Sequence, residues 1–204
     1  MRINKKKFIY LISPNKITKN FFPLLNEVLK SGKISFFQMR FKRYSFKKKI
    51  LIGKKIRQLC KNNKVKFIVN DEPNLAKKLN ADGCHLGQKD INIKKAKKIV
   101  GNKIIGITCH NSIKHAKDAI KNKANYIAVG AFFQTKTKKV KYRANIKTLN
   151  KVKKLTNIPI VAIGGITNEN YKKLLLNNAN FLAISGYIWN NKNYKPTEAI
   201  ESLI

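Results

Sequence analysis

The sequence predicts a single (β/α)₈ barrel. Eight short apolar runs, rich in β-branched and aromatic residues, recur along the 204 residues, and each is followed by a lysine-rich stretch whose apolar residues have helical spacing. Continuous apolar runs of this length are typical of parallel strands that are buried on both faces. Eight alternations fit either a closed barrel or a larger doubly wound sheet, and the barrel is favoured. We expect one catalytic domain over residues 1–204, with an active site built from short loops.

The predicted strands follow one another along the whole chain. They are residues 8–12, 35–40, 66–70, 83–86, 104–108, 126–130, 160–163 and 181–185. Helix start signals stand between them, such as Asn111 with Ser112 and Thr167 with Asn168. The stretch from Tyr194 onward is predicted to be the last helix, which closes the ring.

The chain is strongly basic. It carries 45 Lys and Arg against 9 Asp and Glu, a formal net charge of +36, which is a composition typical of proteins that bind nucleic acid or anionic membranes. A dedicated binder concentrates its charge, whereas here lysines recur from Lys5 to Lys195, mostly on predicted outward helix faces. We therefore expect a solvated basic surface and no specific nucleic-acid partner, with a basic nucleic-acid-binding barrel as the alternative.

The cysteines and the first residues indicate the compartment. Cys60, Cys84 and Cys109 are odd in number, widely separated and form no C-x-x-C pair, so neither a disulfide framework nor a zinc site is predicted. A basic start precedes the apolar run 8–12, which is shorter than the ~7 to 15 residues of a secretory core and far shorter than a membrane span. We expect a cytoplasmic protein with no membrane partner.

Polar residues follow the predicted strands. In a (β/α)₈ barrel the catalytic groups lie at the carboxyl ends of the strands. In this chain those positions hold cations, carboxylates, hydroxyls and glycines, a set that suits a magnesium-bridged phosphate ligand. The residues are Gln38, Met39, Arg40, Phe41, Lys42, Asn70, Asp71, the stretch 85–90, Thr108, Cys109, His110, Thr135, Lys136, Thr137, Lys138, Gly164, Gly165, Ser185 and Gly186.

Two of the four aspartates are candidate metal ligands. Asp118 lies in a predicted helix and Asp82 in a turn, but Asp71 and Asp90 fall just past the ends of consecutive strands. Either one alone fits a cap or a turn. Together, beside groups that bind phosphate, they indicate a site for Mg²⁺.

Other catalytic patterns are disfavoured. His85, His110 and His115 lack zinc spacing, and we expect His85 to pack at a strand end and His115 to be solvated. No nucleophile elbow supports a Ser-His-Asp triad, and no phosphate-binding glycine loop of the P-loop or Rossmann type is present. The Gly164-Gly165 pair permits close backbone approach to a ligand, and residues 167–170 are predicted to open a helix whose N-terminus favours an anion.

Taken in order, these motifs resemble the thiamine phosphate synthase family. The resemblance runs from Phe8 to about Ile188 and includes Q-M-R-F-K, N-D, H-L-G-Q-x-D, G-I-T-C-H, T-x-T-K, A-I-G-G-I and a closing I-S pair. The most specific parts are H-L-G-Q-x-D and T-x-T-K. The resemblance implies a barrel that joins 4-amino-2-methyl-5-hydroxymethylpyrimidine diphosphate to a thiazole phosphate, releases diphosphate and uses Mg²⁺.

The resemblance also implies roles for individual residues. Asp71 and Asp90 would hold Mg²⁺, and Arg40, Thr108 and Lys138 would act in catalysis. Residues assigned to the pyrimidine diphosphate are Gln38, Arg40, Lys42, Asn70, Thr108 and Lys138, with Met39 and Phe41 in the same substrate-binding motif. Residues assigned to the thiazole phosphate are Thr135, Lys136, Thr137, Gly165, Ile184 and Ser185. The implied chemistry is dissociative, with a pyrimidine methyl cation captured by the thiazole nitrogen.

The chain departs from the family pattern at three places. Thr108 stands where Ser is usual and keeps a hydroxyl, Lys89 stands where an acid is common, and residues 142–144 replace a glycine-containing segment. We expect residues 133–143 to form a lid over the substrates. A thiazole tautomerase-like paralogue is the alternative enzyme, and the sequence leaves the oligomeric state open.

Overall fold

Eight parallel strands form a closed barrel in chain order in the computed structural model, which describes residues 7–135, 140 and 142–203. The ring closes because the first strand pairs with the second and also with the eighth. The strands are β1 (Ile9–Ile12), β2 (Ile34–Met39), β3 (Lys66–Asn70), β4 (Gly83–Leu86), β5 (Ile104–His110), β6 (Tyr126–Gly130), β7 (Ile160–Ile163) and β8 (Phe181–Ile184). The predicted barrel is confirmed.

Helices follow the strands around the outside of the barrel. They are α1 (Phe21–Lys30), α2 (Phe46–Asn62), α3 (Pro73–Lys78), α4 (Ile93–Val100), α5 (Ile113–Lys121), α6 (Ile146–Lys153), α7 (Tyr171–Leu176), α8 (Gly186–Trp189) and α9 (Pro196–Glu201). None of the helices in the described ranges is long and apolar enough to cross a membrane.

The core has two layers, because successive side chains of a strand point to opposite faces. One layer fills the space between strands and helices. The other fills the inside of the barrel and contains Tyr10, Ile12, Ile68, Tyr126, Ala128, Val161 and Ala183. Polar side chains that share the inward face therefore lie above this inner layer, at the mouth of the barrel.

Element boundaries differ from the sequence prediction at a few places. Strand β5 runs to His110 rather than Thr108, and its pairing with β6 shifts register between these two residues. The predicted helix start at Thr167 and Asn168 is wrong, since α7 begins at Tyr171. The side chain of Asn170 accepts a hydrogen bond from Thr167 N (3.0 Å) and donates one to Gly165 O (3.0 Å), which holds this segment as a turn.

Candidate active site

The alternation of side chains along β2 separates the residues of the Q-M-R-F-K motif. Phe36 packs against the layer inside the barrel. Gln38, two residues further, lies on the same face and is a buried polar side chain at 3% exposure. Arg40 directly follows β2, is half-buried, and lies near enough to His85 to contribute to the lowering of its pKa. The structure therefore directs Gln38 and Arg40 toward the mouth of the barrel.

Three other predicted substrate-binding residues pack away from the mouth. Met39, Phe41 and Ile184 are buried in the layer between strands and helices. Phe41 packs edge-on against Phe21 and stacks on Tyr44. Any contact of these three residues with a substrate would have to use their backbone atoms, and their roles stay predictions.

Asp71 and Asp90 lie close together at the mouth, near enough for each to shift the pKa of the other through a hydrogen bond. Burial opposes ionisation of Asp71, but the hydrogen bond with Asp90 and the ammonium of Lys42 outweigh it and hold the pKa of Asp71 below its ordinary value. Burial and the hydrogen bond with Asp71 raise the pKa of Asp90. Two carboxylates so close repel each other when both are ionised, so this pair favours a cation between them.

The backbone positions both carboxyl groups. Asp71 has a left-handed backbone conformation, with φ of 62°, and its N–H donates to His85 O at 2.7 Å. Asp tolerates this conformation better than most residues. Asp90 Oδ2 accepts a hydrogen bond from Gly87 N at 2.7 Å, while Lys42 Nζ lies 3.2 Å from Asp71 Oδ2. The backbone turns at the two aspartates and the ammonium group of Lys42 thus hold the pair in place.

The pair has the chemistry of a Mg²⁺ site that is completed by substrate. Among the described residues, no group of three or more His, Cys, Asp and Glu side chains could hold a metal ion. The neighbouring Glu72 is engaged by Lys49, at 2.6 Å. Mg²⁺ is commonly bound by one or two carboxylates together with waters and substrate phosphates. Asp71 and Asp90 therefore fit such an ion.

Thr108 lies at the mouth on β5 and is held from two sides. Its Oγ1 atom is 2.8 Å from His85 Nε2, and its backbone carbonyl accepts a hydrogen bond from Gln88 Nε2. The residue is half-buried. His85 does pack at a strand end, as predicted, but it also contacts a candidate catalytic residue.

Ser13 is a site residue that sequence reasoning missed. Its Oγ accepts a hydrogen bond from Arg40 N (2.9 Å), and its carbonyl accepts one from Ser185 Oγ (3.2 Å). Ser13 is 3% exposed and directly follows β1. The sequence could have indicated Ser13, because it is a polar residue directly after a predicted strand and the carboxyl ends of all strands of such a barrel lie at the same mouth.

The glycine pair after β7 accommodates the protein's own loop. Gly164 has φ of 107° and Gly165 has φ of 65°. A Cβ atom on Gly165 would lie 2.2 Å from Gln134 O, and Phe133 N donates to Gly164 O at 2.9 Å. The close approach predicted at this pair is therefore made in the structure by the segment after β6. The same segment closes at its base, where Ala144 N donates to Ala131 O at 2.9 Å.

Part of the predicted site lies outside the described residues. Lys136, Thr137 and Lys138 are in this group, so their roles and the lid over residues 133–143 stay predictions. Thr135 and Asn70 are described, the first half-buried and the second 9% exposed. His115 is half-buried, and its Nδ1 atom is buried with no hydrogen-bond partner among the described residues, so the expectation that this side chain is solvated holds only in part.

Comparison with known proteins decides the family. A family model described as thiamine monophosphate synthase matches residues 9–188. The thiamine-phosphate synthase of Pelagibacter ubique (strain HTCC1062) is 65% identical over 206 residues, covering 100% of both chains. The chain belongs to the thiamine monophosphate synthase family. It is an enzyme of thiamine biosynthesis, a transferase that makes thiamine phosphate.

More distant members of the thiamine monophosphate synthase family agree. The thiamine-phosphate synthase of Rhodospirillum centenum (strain ATCC 51521 / SW) is 37% identical over 185 residues, which cover 90% of this chain and 89% of that protein. The solved structure of a thiamine phosphate pyrophosphorylase from Pyrococcus furiosus superposes with a TM-score of 0.86 at 31% identity, covering 98% of this chain and 94% of that one. Fold and sequence therefore lead to the same family.

We expect Gly165→Ala to destabilise the protein by about 2 to 4 kcal/mol, because the new Cβ is both strained at positive φ and in collision with the loop. Gly101→Ala is the matched control, since Gly101 has φ of 66° and a Cβ added there would meet no atom of the described residues within 4 Å. Gly101→Ala should lower the free energy of unfolding by only about 1 kcal/mol. Urea unfolding of both variants measures the difference, and equal losses would contradict the close approach of the loop.

His85 is expected to make stability depend on pH. Burial lowers the pKa of His85 to about 4, with Asp71 opposing the shift and Arg40 adding to it. The unfolded chain therefore binds a proton below about 6.5 that the folded protein does not bind until about 4, so the contribution of His85 to stability is lost as the pH falls through this window.

The measurement compares the parent protein with His85→Gln, which does not titrate. Between pH 7.5 and pH 5 the parent should lose about 2 kcal/mol more unfolding free energy than the variant. Urea unfolding at the two pH values measures this difference. Parallel losses in the two proteins would show that His85 is not held neutral by burial.

Proposed function

We propose that this member of the family condenses 4-amino-2-methyl-5-hydroxymethylpyrimidine diphosphate with a thiazole phosphate, in a Mg²⁺-dependent reaction. The observation that carries the proposal is the pair Asp71 and Asp90 at the mouth of the barrel, close enough to shift each other's pKa, with Lys42 Nζ 3.2 Å from Asp71 Oδ2. Such a set suits a diphosphate and its counter-ion. Arg40, which directly follows β2 and lies near enough to His85 to contribute to the lowering of its pKa, supplies a second cation at the mouth.

Each residue at the mouth then has one task. Asp71 and Asp90 would hold Mg²⁺, which when bound neutralises charge on the diphosphate. Arg40 and Lys42 bind diphosphate oxygens, and the Thr108 hydroxyl donates a hydrogen bond to the leaving group as its negative charge grows. No nucleophile from the protein is required, because the bond to the diphosphate oxygen breaks first and the thiazole nitrogen then captures the pyrimidine methyl cation.

The remaining residues hold the two substrates in line. Gln38 and Asn70 present amides on the inner wall, where they can contact the pyrimidine diphosphate. On the other side of the mouth, Thr135, the Gly165 backbone and Ser185 are assigned to the thiazole phosphate. We assign Lys136 and Thr137 to the thiazole phosphate and Lys138 to the diphosphate from the family motif. Exclusion of water matters here, because water would capture the methyl cation in place of the thiazole nitrogen.

The test is a product assay. The purified protein is incubated with both substrates and Mg²⁺, and thiamine phosphate and diphosphate are separated by chromatography. Equal amounts of the two products are expected, and neither should form when one substrate is left out. A thiazole tautomerase would instead change the thiazole phosphate alone and release no diphosphate, and that result would overturn the proposal.

A further inference from the structure

A chain of four hydrogen-bonded side chains runs from the inside of the barrel to its mouth. Tyr10 Oη lies 2.7 Å from Tyr126 Oη, and Tyr126 Oη lies 2.9 Å from His85 Nδ1. His85 Nε2 lies 2.8 Å from Thr108 Oγ1. The first three side chains are buried and the fourth is half-buried at the mouth. The polar chain thus has one closed end and one open end.

Its closed end sets the direction of every hydrogen bond. In the part of the chain that the structure describes, Tyr126 is the one hydrogen-bond partner of the Tyr10 hydroxyl, which is buried at 2% exposure. A buried hydroxyl without an acceptor is costly, so Tyr10 must donate to Tyr126. Tyr126 then donates to His85 Nδ1, because its own proton has no other acceptor there. His85 must therefore carry its proton on Nε2 and donate to Thr108.

The reverse direction of donation leaves the buried Tyr10 hydroxyl proton without an acceptor. If His85 carried a proton on Nδ1, it would donate to Tyr126, and Tyr126 would donate to Tyr10. The Tyr10 proton would then point into the apolar layer inside the barrel, where Phe36 stacks on its ring at 5.2 Å. A doubly protonated His85 meets the same obstacle. Both alternatives leave a buried donor unsatisfied, at a cost of about 1 to 3 kcal/mol.

Gly106 makes room for this arrangement. It lies on β5 between His85 on β4 and Tyr126 on β6, paired in register with both. A Cβ atom at Gly106 would lie 1.9 Å from Cζ of Tyr126. Because that position is empty, the Tyr126 ring crosses β5 and stacks on His85, with ring centroids 5.6 Å apart and planes 18° from parallel. The space that Gly106 leaves on β5 thus allows the two tyrosines and His85 to form one hydrogen-bonded chain.

We infer that Tyr10, Tyr126 and His85 are positioning residues that fix the Thr108 hydroxyl as a hydrogen-bond donor toward the substrate. Thr108 Oγ1 accepts from His85, so its own proton is left to point into the mouth, where an anionic oxygen can accept it. A threonine free to rotate would present its lone pairs to the same oxygen part of the time. The inference deepens the proposed function and rests on it for the identity of the acceptor.

The first test is spectroscopic and needs no turnover. Nitrogen-15 NMR of the imidazole in the intact protein should show His85 with its proton on Nε2 and with Nδ1 as a hydrogen-bond acceptor. Tyr126→Phe should move the Nδ1 resonance toward that of a free lone pair, while Tyr10→Phe, an equally buried loss of one hydroxyl, should move it much less. A proton on Nδ1 in the parent protein, or equal shifts in the two variants, would overturn the inference.

The second test is a double-mutant cycle on turnover. His85→Phe keeps a stacked ring and should lower kcat by about tenfold or more in the parent, because Thr108 loses its orientation. In the Thr108→Val background the same change should lower kcat by less than about threefold, since no hydroxyl remains to be oriented. Equal factors in both backgrounds would make His85 merely structural. If the parent forms no thiamine phosphate, the proposed function fails, and the NMR result still decides the direction of the chain.

Discussion

Asp71→Asn and Asp90→Asn are each expected to lower kcat/KM by about 100-fold or more while the barrel stays folded. Each change removes one carboxylate from the pair that favours a cation, so the diphosphate would lose much of its counter-ion. Asparagine is the suitable replacement at position 71, because Asn adopts the left-handed conformation found there, with φ of 62°, more readily than Ala. The largest loss should appear at low Mg²⁺ concentration.

The measurement is a Mg²⁺ titration of initial rates after treatment with a chelator. Asp118→Asn is the matched control, since Asp118 is an exposed aspartate on α5, and this variant should keep the parent's rates. Both site variants should need more Mg²⁺ than the parent for half-maximal activity. Full activity of either site variant in chelator-treated buffer would remove the assignment of the metal to this pair.

Thr108→Val is expected to lower kcat by about 100-fold. The two side chains have the same shape, so the change removes a hydroxyl and little else. It deprives the leaving diphosphate of a hydrogen-bond donor, and it leaves His85 Nε2–H without its acceptor in a buried position. The second effect should also reduce the free energy of unfolding by about 1 to 3 kcal/mol.

Thr108→Ser is the control for this prediction. Serine keeps the hydroxyl and the hydrogen bond from His85, so its kcat should stay within about tenfold of the parent. Steady-state kinetics with both substrates gives kcat and KM, and urea unfolding gives stability. A rise in KM with unchanged kcat in Thr108→Val would mean that the hydroxyl binds the ground state and the transition state equally, contrary to the expected result.

The number and order of the strands could be predicted from the sequence because each strand is a local pattern. The runs 66–70, 83–86, 126–130 and 160–163 match β3, β4, β6 and β7. A run of buried apolar residues needs no distant partner to be recognised. By contrast, α7 starts at Tyr171 because the side chain of Asn170 binds both Gly165 and Thr167. Several conformations suit those residue types, so their identity alone did not determine the turn.

Within the candidate site, the sequence determined which strand ends carry chemistry, and the tertiary structure decided which side chains meet. Asp71 and Asp90 could be paired in advance, since the carboxyl ends of neighbouring barrel strands share one mouth. The separation of Gln38 from Met39 also follows from the two-residue period of a strand, although the motif alone groups them together. Both of these features follow from the positions and the periodicity of single strands in the sequence.

The hydrogen-bond chain beneath Thr108 was beyond the reach of the sequence. Tyr10 and Tyr126 are 116 positions apart, and each belongs to an apolar run in which an aromatic residue is ordinary. Their hydroxyls meet only because the barrel closes between β1 and β8 and because Gly106 leaves space for one ring. Hydrogen bonds need contact within about 3 Å, a distance that apolar periodicity does not encode. The sequence by itself therefore determined the barrel and its polar mouth, while closure of the barrel decided how Thr108 is held.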